Sequence, residues 1–501
     1  MGHWRDSDPL LDMDFTPDPS KLSFQADSVR RKIISAYWTI IILALPLWWY
    51  TTSIERLSLP SSQVASNAQK RLQIPVRLAV DVGSEGPLVA TQLQKSLNKR
   101  IERVPERWDG LDVRVSTSAE AVDGTYIICS GREVAVMRDR NLVYPVGAQS
   151  ISGLTDVLSD LIAPFPSTSE PEHRVAQYSP RYRLSFSLLN EDAAAGNAFT
   201  EWDVSDAIAR HISPILNRVS ILHNFTLESQ VQFHAPLAFN PQHLDTIFGI
   251  TPEDLTVFVN SAEWTLSSSA SNDPVLHFVL FIPSAARRPL HILNNEGDIS
   301  PSNAFLLPQW GGIVIHNPSL QDIHSDAKFS SAILDPIFSA FSSHLLSLLG
   351  VPHLPTNVQT VSRTHDALTD WQFDALLRYR ALNNAQRSKD TLQSIVNLVG
   401  QIENMPVGPN VRDDIQNALI ALEYMYDASK ASLTETLRHS ARAFILSSRA
   451  FFNPGMLALL YFPAEHKYAV YTPMFASAVI PLFVAALREV AAWRRERKQK
   501  Q

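Results

Sequence analysis

The sequence has 501 residues, too many for one ordinary domain, and 45% hydrophobic with 19% charged residues is too apolar a composition for a disordered chain. The formal net charge of −7 disfavours a general nucleic-acid binder, because contacts with phosphates need clustered positive charge. A single cysteine, Cys129, excludes an intrachain disulfide framework, a paired-cysteine redox motif and any zinc or iron–sulfur site with several thiolates.

The chain begins with a polar tail that leads into an apolar segment. Residues 1–32 are predicted to be a disordered cytosolic tail, because they are rich in acidic residues and proline and lack an apolar period. Residues 33–50 carry no charge over 18 positions, which corresponds to about 27 Å of helix, enough to span a bilayer. Arg30, Arg31 and Lys32 stand directly before this run, so the tail is expected to stay in the cytosol. A cleaved signal peptide is the alternative, but the run is long for one and lacks a small-x-small cleavage site.

A second apolar stretch lies at residues 469–487 and is predicted to be a second transmembrane helix. The tail after it, residues 488–501, has six basic residues against two glutamates, which places this end in the cytosol too. The chain between the two spans is then expected on the lumenal side of the membrane. A buried core helix is the alternative for this stretch, and two prolines disfavour it. The basic tail is attributed to topology, with binding of anionic lipid as the alternative.

The chain after the first span predicts an α/β region with a largely covered sheet, because segments of strand and helix pattern alternate. The predicted strands are residues 74–82, 123–129, 133–137, 142–146, 181–189, 275–282 and 312–316, and the predicted helices are 88–104, 148–162 and 204–222. Alternation of apolar residues predicts the core positions Leu78, Val80, Ile127, Phe186, Leu188, Phe278, Leu280 and Ile313.

The pattern changes to apolar residues at three-four spacing after about residue 330, which predicts a helical region. Its predicted helices are residues 333–349, 364–399, 411–429 and 432–452. The predicted fold class is therefore α/β, with a lumenal mixed α/β domain and an α-helical region flanked by one transmembrane helix at each end. The predicted order is a cytosolic tail (1–32), a span (33–50), the lumenal α/β domain (51–330), the lumenal helical region (331–468), a span (469–487) and the basic cytosolic tail (488–501).

A search for catalytic motifs finds no HExxH, no P-loop, no GxSxG elbow and no GxGxxG opening a helix. Cys129 ends a strand-like run, where a thiolate nucleophile with a histidine partner is one interpretation and a small buried core residue is the other, which we favour. Asp81 with Glu85 is attributed to a turn, and Asp203 to a helix cap. The turn at residues 308–312, which contains a tryptophan, is interpreted as a structural strand entry, with a binding loop as the alternative.

One sequon falls in the segment predicted to be lumenal. Asn224-Phe225-Thr226 has the N-x-[ST] form, whereas Asn317-Pro318-Ser319 is blocked by its central proline. The sequence therefore predicts N-glycosylation at Asn224.

Six segments in order, from the first span to the second, resemble the PIG-S family. They are LPLWWYTTSIERLSLP (45–60), SFSLLNED (185–192), ILHNFTLESQV (221–231), FVNSAEWTLSSSASNDPVLHFVLFIP (258–283), LPQWGGIVIHNP (307–318) and LLYFPAEHKYAVY (459–471). The resemblance implies a non-catalytic, scaffolding subunit of the glycosylphosphatidylinositol (GPI) transamidase, with no catalytic, cofactor or metal residues to carry over. Asn224 matches the NFT position of the family.

The resemblance also implies a location and partners. The chain is expected in the endoplasmic reticulum membrane, with two spans, both termini cytosolic and the large domain lumenal. Expected partners are membrane lipid and the other transamidase subunits: the cysteine-protease-like catalytic subunit PIG-K, PIG-T, PIG-U and the Gaa-type subunit. A lumenal membrane-anchored hydrolase or transferase that uses Cys129 or a dispersed triad is the alternative.

Overall fold

The computed structural model describes residues 26–52, 55–117, 124–137, 139–145, 151–165, 175–194, 199–266, 272–318, 328–329, 331–360, 368–402, 405–457 and 464–499. The predicted disordered tail lies outside these residues up to position 25. The first helix begins at Asp27 and so includes Arg30, Arg31 and Lys32 from the predicted tail.

The helices and strands of the described residues are as follows. The α-helices are α1 (Asp27–Thr52), α2 (Ser61–Gln69), α3 (Gly86–Arg103), α4 (Ile151–Ile162), α5 (Val204–Ala207), α6 (Ser213–Val219), α7 (Pro252–Thr256), α8 (Ser331–Leu348), α9 (Asp370–Gln401), α10 (Pro409–Ala428), α11 (Leu433–Phe451), α12 (Pro454–Leu457) and α13 (Ala464–Gln499). The strands are β1 (Ile74–Asp81), β2 (Leu111–Thr117), β3 (Tyr126–Ser130), β4 (Ala135–Val136), β5 (Asn141–Tyr144), β6 (Arg181–Asn190), β7 (Glu201–Trp202), β8 (Asn224–Gln232), β9 (Gln242–Leu244), β10 (Ile247–Ile250), β11 (Val275–Ile282), β12 (Leu290–Ile292), β13 (Ala304–Leu307), β14 (Gly311–Ile315), β15 (Lys328–Phe329) and β16 (Gln359–Thr360).

The first sheet has six strands in the described part of the chain, in the order β2-β1-β3-β5-β4-β16. The four strands from β2 to β5 are parallel neighbours, and β4 is antiparallel to β5. Leu78 of β1 lies beside Val115 of β2 and Tyr126 of β3. Leu93 of α3 and Leu154 of α4 belong to the same buried core as Leu78, so these helices cover the sheet in the usual α/β manner.

The second sheet has the order β13-β14-β11-β6-β8 among the described residues, with four parallel strands and an antiparallel β13. Its central strands β6 and β11 are buried on both faces, as expected where a parallel sheet is covered on both sides, and β11 is a nearly continuous apolar run whereas β6 alternates Leu and Phe with buried serines. Phe186 of β6 stacks on Phe278 of β11 and on Phe338 of α8, with ring centroids 5.2 and 5.6 Å apart. On the opposite face, Phe281 packs against Phe258 at 5.2 Å. The sheet is therefore sandwiched between α8 and the segment around Phe258.

Two smaller sheets complete the described strands. One has the order β12-β10-β9, and the other pairs β15 with β7.

The contacts of the chain divide it into two compact units. The larger comprises Ser61–Gln393 and Gln416–Ser448 and contains both large sheets, whereas the smaller comprises Met1–Pro60, Ser394–Ile415 and Arg449–Gln501. In the smaller unit, Leu57 and Val407 are joined by a backbone hydrogen bond of 3.0 Å. The helical segments Ser28–Thr51 and Tyr468–Arg495 of this unit are long and apolar enough to cross a membrane. The most apolar 18 residues of each segment are 0% buried. That exposure argues against a soluble core helix at the second stretch.

The predicted fold class, α/β strands and helices followed by a helical region with an apolar helix near each end, is confirmed. Seven of the eight predicted core residues are buried, and Ile127 is the exception. Ile127 is half-buried while Ile128 is fully buried, because alternate residues of β3 face opposite sides and the buried side carries Tyr126 and Ile128. The domain boundaries at residues 330 and 468 stay predictions.

Candidate functional site

The predicted glycosylation site lies at the start of an edge strand. Asn224 is the first residue of β8, which ends the second sheet, and its side chain is exposed. Its backbone N–H donates to the carbonyl oxygen of Pro180 at 2.9 Å, which fixes the peptide. Thr226 is exposed as well, and alternate residues of a strand share one face. The side chains of Asn224 and Thr226 are therefore both accessible, and the hydroxyl of Thr226 donates only a long hydrogen bond of 3.5 Å to the carbonyl oxygen of Tyr182.

A buried histidine anchors the chain just before the sequon. Nδ1 of His223 lies 2.6 Å from the carbonyl oxygen of Ser179, and its ring packs against Tyr178 and Tyr182 at 5.2 and 5.0 Å. Burial lowers the pKa of His223 to about 4, so this residue is neutral at neutral pH. The sequon is thus held from inside while its own side chains face outward.

The outer edge of the first sheet is occupied by a glutamine side chain. Gln94 of α3 donates through Nε2 to the carbonyl oxygen of Val113 at 3.3 Å and accepts at Oε1 from the N–H of Val115 at 2.7 Å. Its amide thus takes the position of a peptide group in an additional strand beside β2. A groove of about 890 Å³ lies alongside, lined by Lys95, Ser116 and neighbouring residues. Gln94 closes an edge that would otherwise offer free backbone groups to another chain.

Cys129 is placed at the end of β3, beside Asp81 at the end of β1. The thiol is half-buried and not the fully buried core residue that we favoured, and burial together with the negative charge of Asp81 raises its pKa. A nucleophilic cysteine needs the opposite shift, because the thiolate is the reactive form. The surroundings of Cys129 therefore favour an unreactive thiol.

The other candidate positions have structural explanations. Glu85 belongs to the short 3-10 turn Gly83–Glu85 that follows β1. Asp203 stands at the N-cap position of α5, but its side chain makes no capping hydrogen bond, so the predicted cap contact is wrong. In the described ranges, no group of three or more His, Cys, Asp or Glu side chains is placed to hold a metal ion.

The turn at residues 308–312 joins β13 to β14, and its backbone closely approaches the backbone of β11. Trp310 stacks on His277 with ring centroids 4.8 Å apart. A Cβ atom added at Gly311 would lie 1.9 Å from the carbonyl oxygen of His277, so only glycine fits there. The contacts match the structural interpretation of this turn.

The two apolar helices form an antiparallel pair. Near the start of α1, Arg30 and Arg31 both contact the carboxylate of Glu489 in α13, with Arg31 Nε at 3.0 Å from Oε2. Near the end of α1, Trp48 packs edge-on against Tyr471 and Phe475 at 5.7 and 5.3 Å. The N-terminal flank of α1 and the C-terminal flank of α13 therefore lie at the same end of the pair.

A buried polar cluster that the sequence reasoning missed joins α9 to the first sheet. Asp374 accepts hydrogen bonds from the hydroxyl of Tyr126 at 2.8 Å and from Nε of Arg140 at 2.6 Å. Arg378 donates to the oxygen of Tyr126 at 2.5 Å. The signal was present as charged residues at four-residue spacing, on the stripe of α9 that also carries the buried Trp371.

The sequence is similar to one family of known proteins along most of its length. The sequence matches the family model PIG-S, described as Phosphatidylinositol-glycan biosynthesis class S protein, over residues 35–127 and 134–496. It is 31% identical over 497 residues to the GPI transamidase component PIG-S homolog of Schizosaccharomyces pombe, which covers 94% of this chain and 86% of that protein. It is 27% identical to the GPI-anchor transamidase component PIGS of Homo sapiens, with 91% and 95% covered. Identity to the GPI transamidase component GPI17 of Saccharomyces cerevisiae is 24%, with 88% of each chain covered.

Proposed function

The chain belongs to the PIG-S family, and we propose that it is a non-catalytic, scaffolding component of a GPI transamidase, the complex that attaches GPI anchors to the C-terminus of precursor proteins in the endoplasmic reticulum. The observation that carries the proposal is the family match, which runs from the first apolar helix to the second. The relatives it matches over most of their length are named components of that transamidase.

The proposed topology has both flanks of the helix pair in the cytosol and the large folded region in the lumen. The antiparallel contact of α1 with α13 supports placing the two flanks on one side of the membrane. The basic residues of both flanks support the cytosol as that side. Asn224, exposed on β8, then lies in the lumen and carries an N-glycan.

The role as an accessory subunit agrees with the chemistry of the folded region. Cys129 is held protonated by burial and by Asp81, which removes the support for a hydrolase or transferase built on this thiol. The proposed partners are membrane lipid and the cysteine-protease-like catalytic subunit PIG-K, PIG-T, PIG-U and the Gaa-type subunit. Anchoring by two helices raises the effective concentration of the lumenal surfaces for such partners, so weak individual contacts suffice.

The proposal is tested in cells that lack their own PIG-S protein. The full chain is expected to restore GPI-anchored proteins at the cell surface and to purify in mild detergent with a cysteine-protease-like subunit and multi-span partners. Cys129→Ser is expected to restore anchoring fully, because a thiol without a catalytic role is dispensable. Loss of anchoring by Cys129→Ser, with normal protein amount, would establish the enzymatic alternative. Failure of the unaltered chain to recover any transamidase subunit would refute the scaffolding role.

The lumenal position of Asn224 is tested on the same purified protein by sensitivity to a glycosidase. Thr226→Ala destroys the sequon while retaining Asn224, and the glycosidase-sensitive form should disappear. Ser229→Ala, an exposed change on the same strand, is the matched control and should leave the glycan in place. A protein without a glycan in all three forms contradicts glycosylation at this site.

A further inference from the structure

The helix pair brings together two basic segments that are more than 450 positions apart in the chain. Arg30 and Arg31 of α1 share the carboxylate of Glu489, and Lys32 follows them. Because the helices are antiparallel, the basic flank of α13 begins at this same end of the pair. The negative charge of Glu489 is compensated by two arginines.

Helix α13 continues past this contact to Gln499, about 15 Å further at the helical rise. The extension carries exposed Arg494, Arg495, Arg497 and Lys498. At 100° per residue, these four positions fall within an arc of about 160° on the helix. They form one basic face rather than a ring of charge.

An aromatic residue marks the start of this basic face. Trp493 is 46% exposed, and the guanidinium of Arg497 lies 4.5 Å from the centroid of its ring. Tryptophan is enriched at the interface between lipid and water, where its ring sits at the level of the headgroups. The basic side chains that follow are then close to the phosphates of the same leaflet.

We propose that this end of the helix pair binds the headgroups of anionic phospholipids. The binding surface, here named the basic cap, consists of Lys32, Arg494, Arg495, Arg497 and Lys498. Charge complementarity and the neighbouring Trp493 assign a lipid surface as the occupant, because phosphate-bearing headgroups lie at this depth. The inference rests on the two membrane spans and not on the role in the transamidase.

The consequence for the molecule is a fixed height and tilt of the helix pair. Each lysine or arginine near an anionic surface contributes about a fivefold gain in binding, and the interaction acts over about a Debye length of 10 Å at 0.1 M salt. A cap formed by both flanks therefore anchors the pair at one leaflet and limits rotation of the two helices.

The test uses the full-length protein in detergent and native mass spectrometry of the lipids it retains. Phosphatidylinositol is expected to bind at least about tenfold more tightly than phosphatidylcholine in the first binding steps. The variant Arg494→Gln/Arg495→Gln/Arg497→Gln/Lys498→Gln should lose this preference. A matched control removes four exposed basic residues elsewhere, in the variant Lys99→Gln/Lys430→Gln/Arg438→Gln/Arg442→Gln, and should keep it.

Topology must be unchanged for the comparison to hold, because flanking positive charges also set orientation. Protease access to a C-terminal tag in sealed microsomes checks this point. The milder variant Arg494→Gln/Arg497→Gln retains Arg495 and Lys498, so its orientation is preserved, and it should lose about fivefold or more of the preference.

Three outcomes overturn the proposal. The first is equal retention of phosphatidylinositol and phosphatidylcholine by the unaltered protein. The second is an unchanged preference in the basic-cap variants. The third is a loss of lipid preference in sodium phosphate but not in sodium chloride of equal ionic strength, which would assign the basic residues to free phosphate. Anchoring of GPI proteins in cells is a separate readout, so failure of this inference and failure of the proposed function remain distinguishable.

Discussion

The buried carboxylate of Asp374 in α9 accepts a hydrogen bond of 2.8 Å from the hydroxyl of Tyr126 in β3, although the two residues are 248 positions apart. Arg140 and Arg378 complete the cluster by donating to Asp374 and to Tyr126. Burial raises the pKa of Tyr126 to about 12, so its hydroxyl remains a donor at all physiological pH values. The cluster fixes the start of α9 against the first sheet.

Removal of the carboxylate of Asp374 is expected to destabilise the folded protein. Asp374→Asn leaves Arg140 without its anion and weakens the acceptor of the Tyr126 hydroxyl, and the free energy of unfolding should fall by about 2 to 3 kcal/mol. Denaturant unfolding of the purified protein measures this change. Asp413→Asn is the control, because Asp413 pairs with Arg412 at the surface and should cost less than about 1 kcal/mol. Equal effects of the two variants would contradict the structural role of the cluster.

The hydroxyl of Tyr126 is tested separately by Tyr126→Phe. The expected loss is about 1 to 3 kcal/mol, because a buried acceptor and a buried guanidinium each lose one partner. A double variant with Asp374→Asn should destabilise by less than the sum of the two single changes, since both belong to one network. Strict additivity would mean that the two residues act independently.

Glycine is required at the entry to β14. Gly311→Ala would place a Cβ atom 1.9 Å from the backbone oxygen of His277, and backbone cannot move aside as a side chain can. Strands β11 and β14 must then separate at this point, and the free energy of unfolding should fall by more than about 2 kcal/mol. Gly400→Ala is the matched control, because nothing lies within 4 Å of its Cβ position and the residue is helical. That change should be neutral or stabilise by up to about 1 kcal/mol. Similar thermal unfolding midpoints for the two variants would contradict the close approach.

The sequence predicted the strands that alternate or are continuously apolar. β1, β6, β11 and β14 were found because each presents a run of Val, Ile, Leu or Phe to a covered sheet. β8 was missed, since an edge strand with exposed residues such as Asn224 and Leu227 has no apolar face to detect. The two-residue strand β16 was missed for a different reason, because its pairing with β4 depends on contacts more than 200 positions apart.

Only part of the candidate site could be predicted from the sequence. The sequon at Asn224 is a local motif and was found, although its place on a sheet edge was not. The contact of Gln94 with Val113 and Val115 depends on how α3 packs over β2, which composition and periodicity do not encode. The Ile127 prediction was wrong because two adjacent isoleucines leave the phase of the alternation undetermined, and the packing of Tyr126 decides it.

Acid is expected to destabilise the folded region through two buried histidines and one that is half-buried. Burial lowers the pKa of His223, His277 and His344 to about 4 each, below the ordinary value of 6.5. Below about pH 6.5 these groups gain a proton in the unfolded chain but stay neutral in the folded state, so protonation favours unfolding. Their contribution to the free energy of unfolding is therefore complete above about pH 6.5. It declines as the pH falls from about 6.5 to about 4. Each histidine should account for a loss of about 2 kcal/mol between pH 7 and pH 5.

Thermal unfolding at pH 7 and pH 5 measures this dependence. His277→Gln removes one titrating group, and the difference between the two pH values should shrink in that variant. His439→Gln is the control, because His439 lies in α11 beside Tyr424 and is only half-buried. A pH dependence that His277→Gln leaves unchanged would contradict the burial of this ring.

The outer edge of the first sheet should pair with other copies of the protein when the side chain of Gln94 is removed. Gln94→Ala leaves the carbonyl of Val113 and the N–H of Val115 without their partner, so stability should fall by about 1 kcal/mol. The same free groups offer a template for strand addition, and the detergent-solubilised protein should self-associate, as light scattering would show. Thr91→Ala removes another side chain of the same groove without touching β2, and it should do neither.

Gln94→Glu separates loss of stability from exposure of the edge. The carboxylate still accepts from the N–H of Val115 but repels the carbonyl of Val113, so stability falls while a negative charge stands at the edge. We therefore expect a destabilised but monodisperse protein for Gln94→Glu, and a destabilised, associating protein for Gln94→Ala. Association of both variants to the same extent would mean that partial unfolding is the cause, and the edge-closing role of Gln94 would be wrong. Monodisperse behaviour of Gln94→Ala would lead to the same conclusion, because an unprotected strand edge should pair with a strand of another molecule.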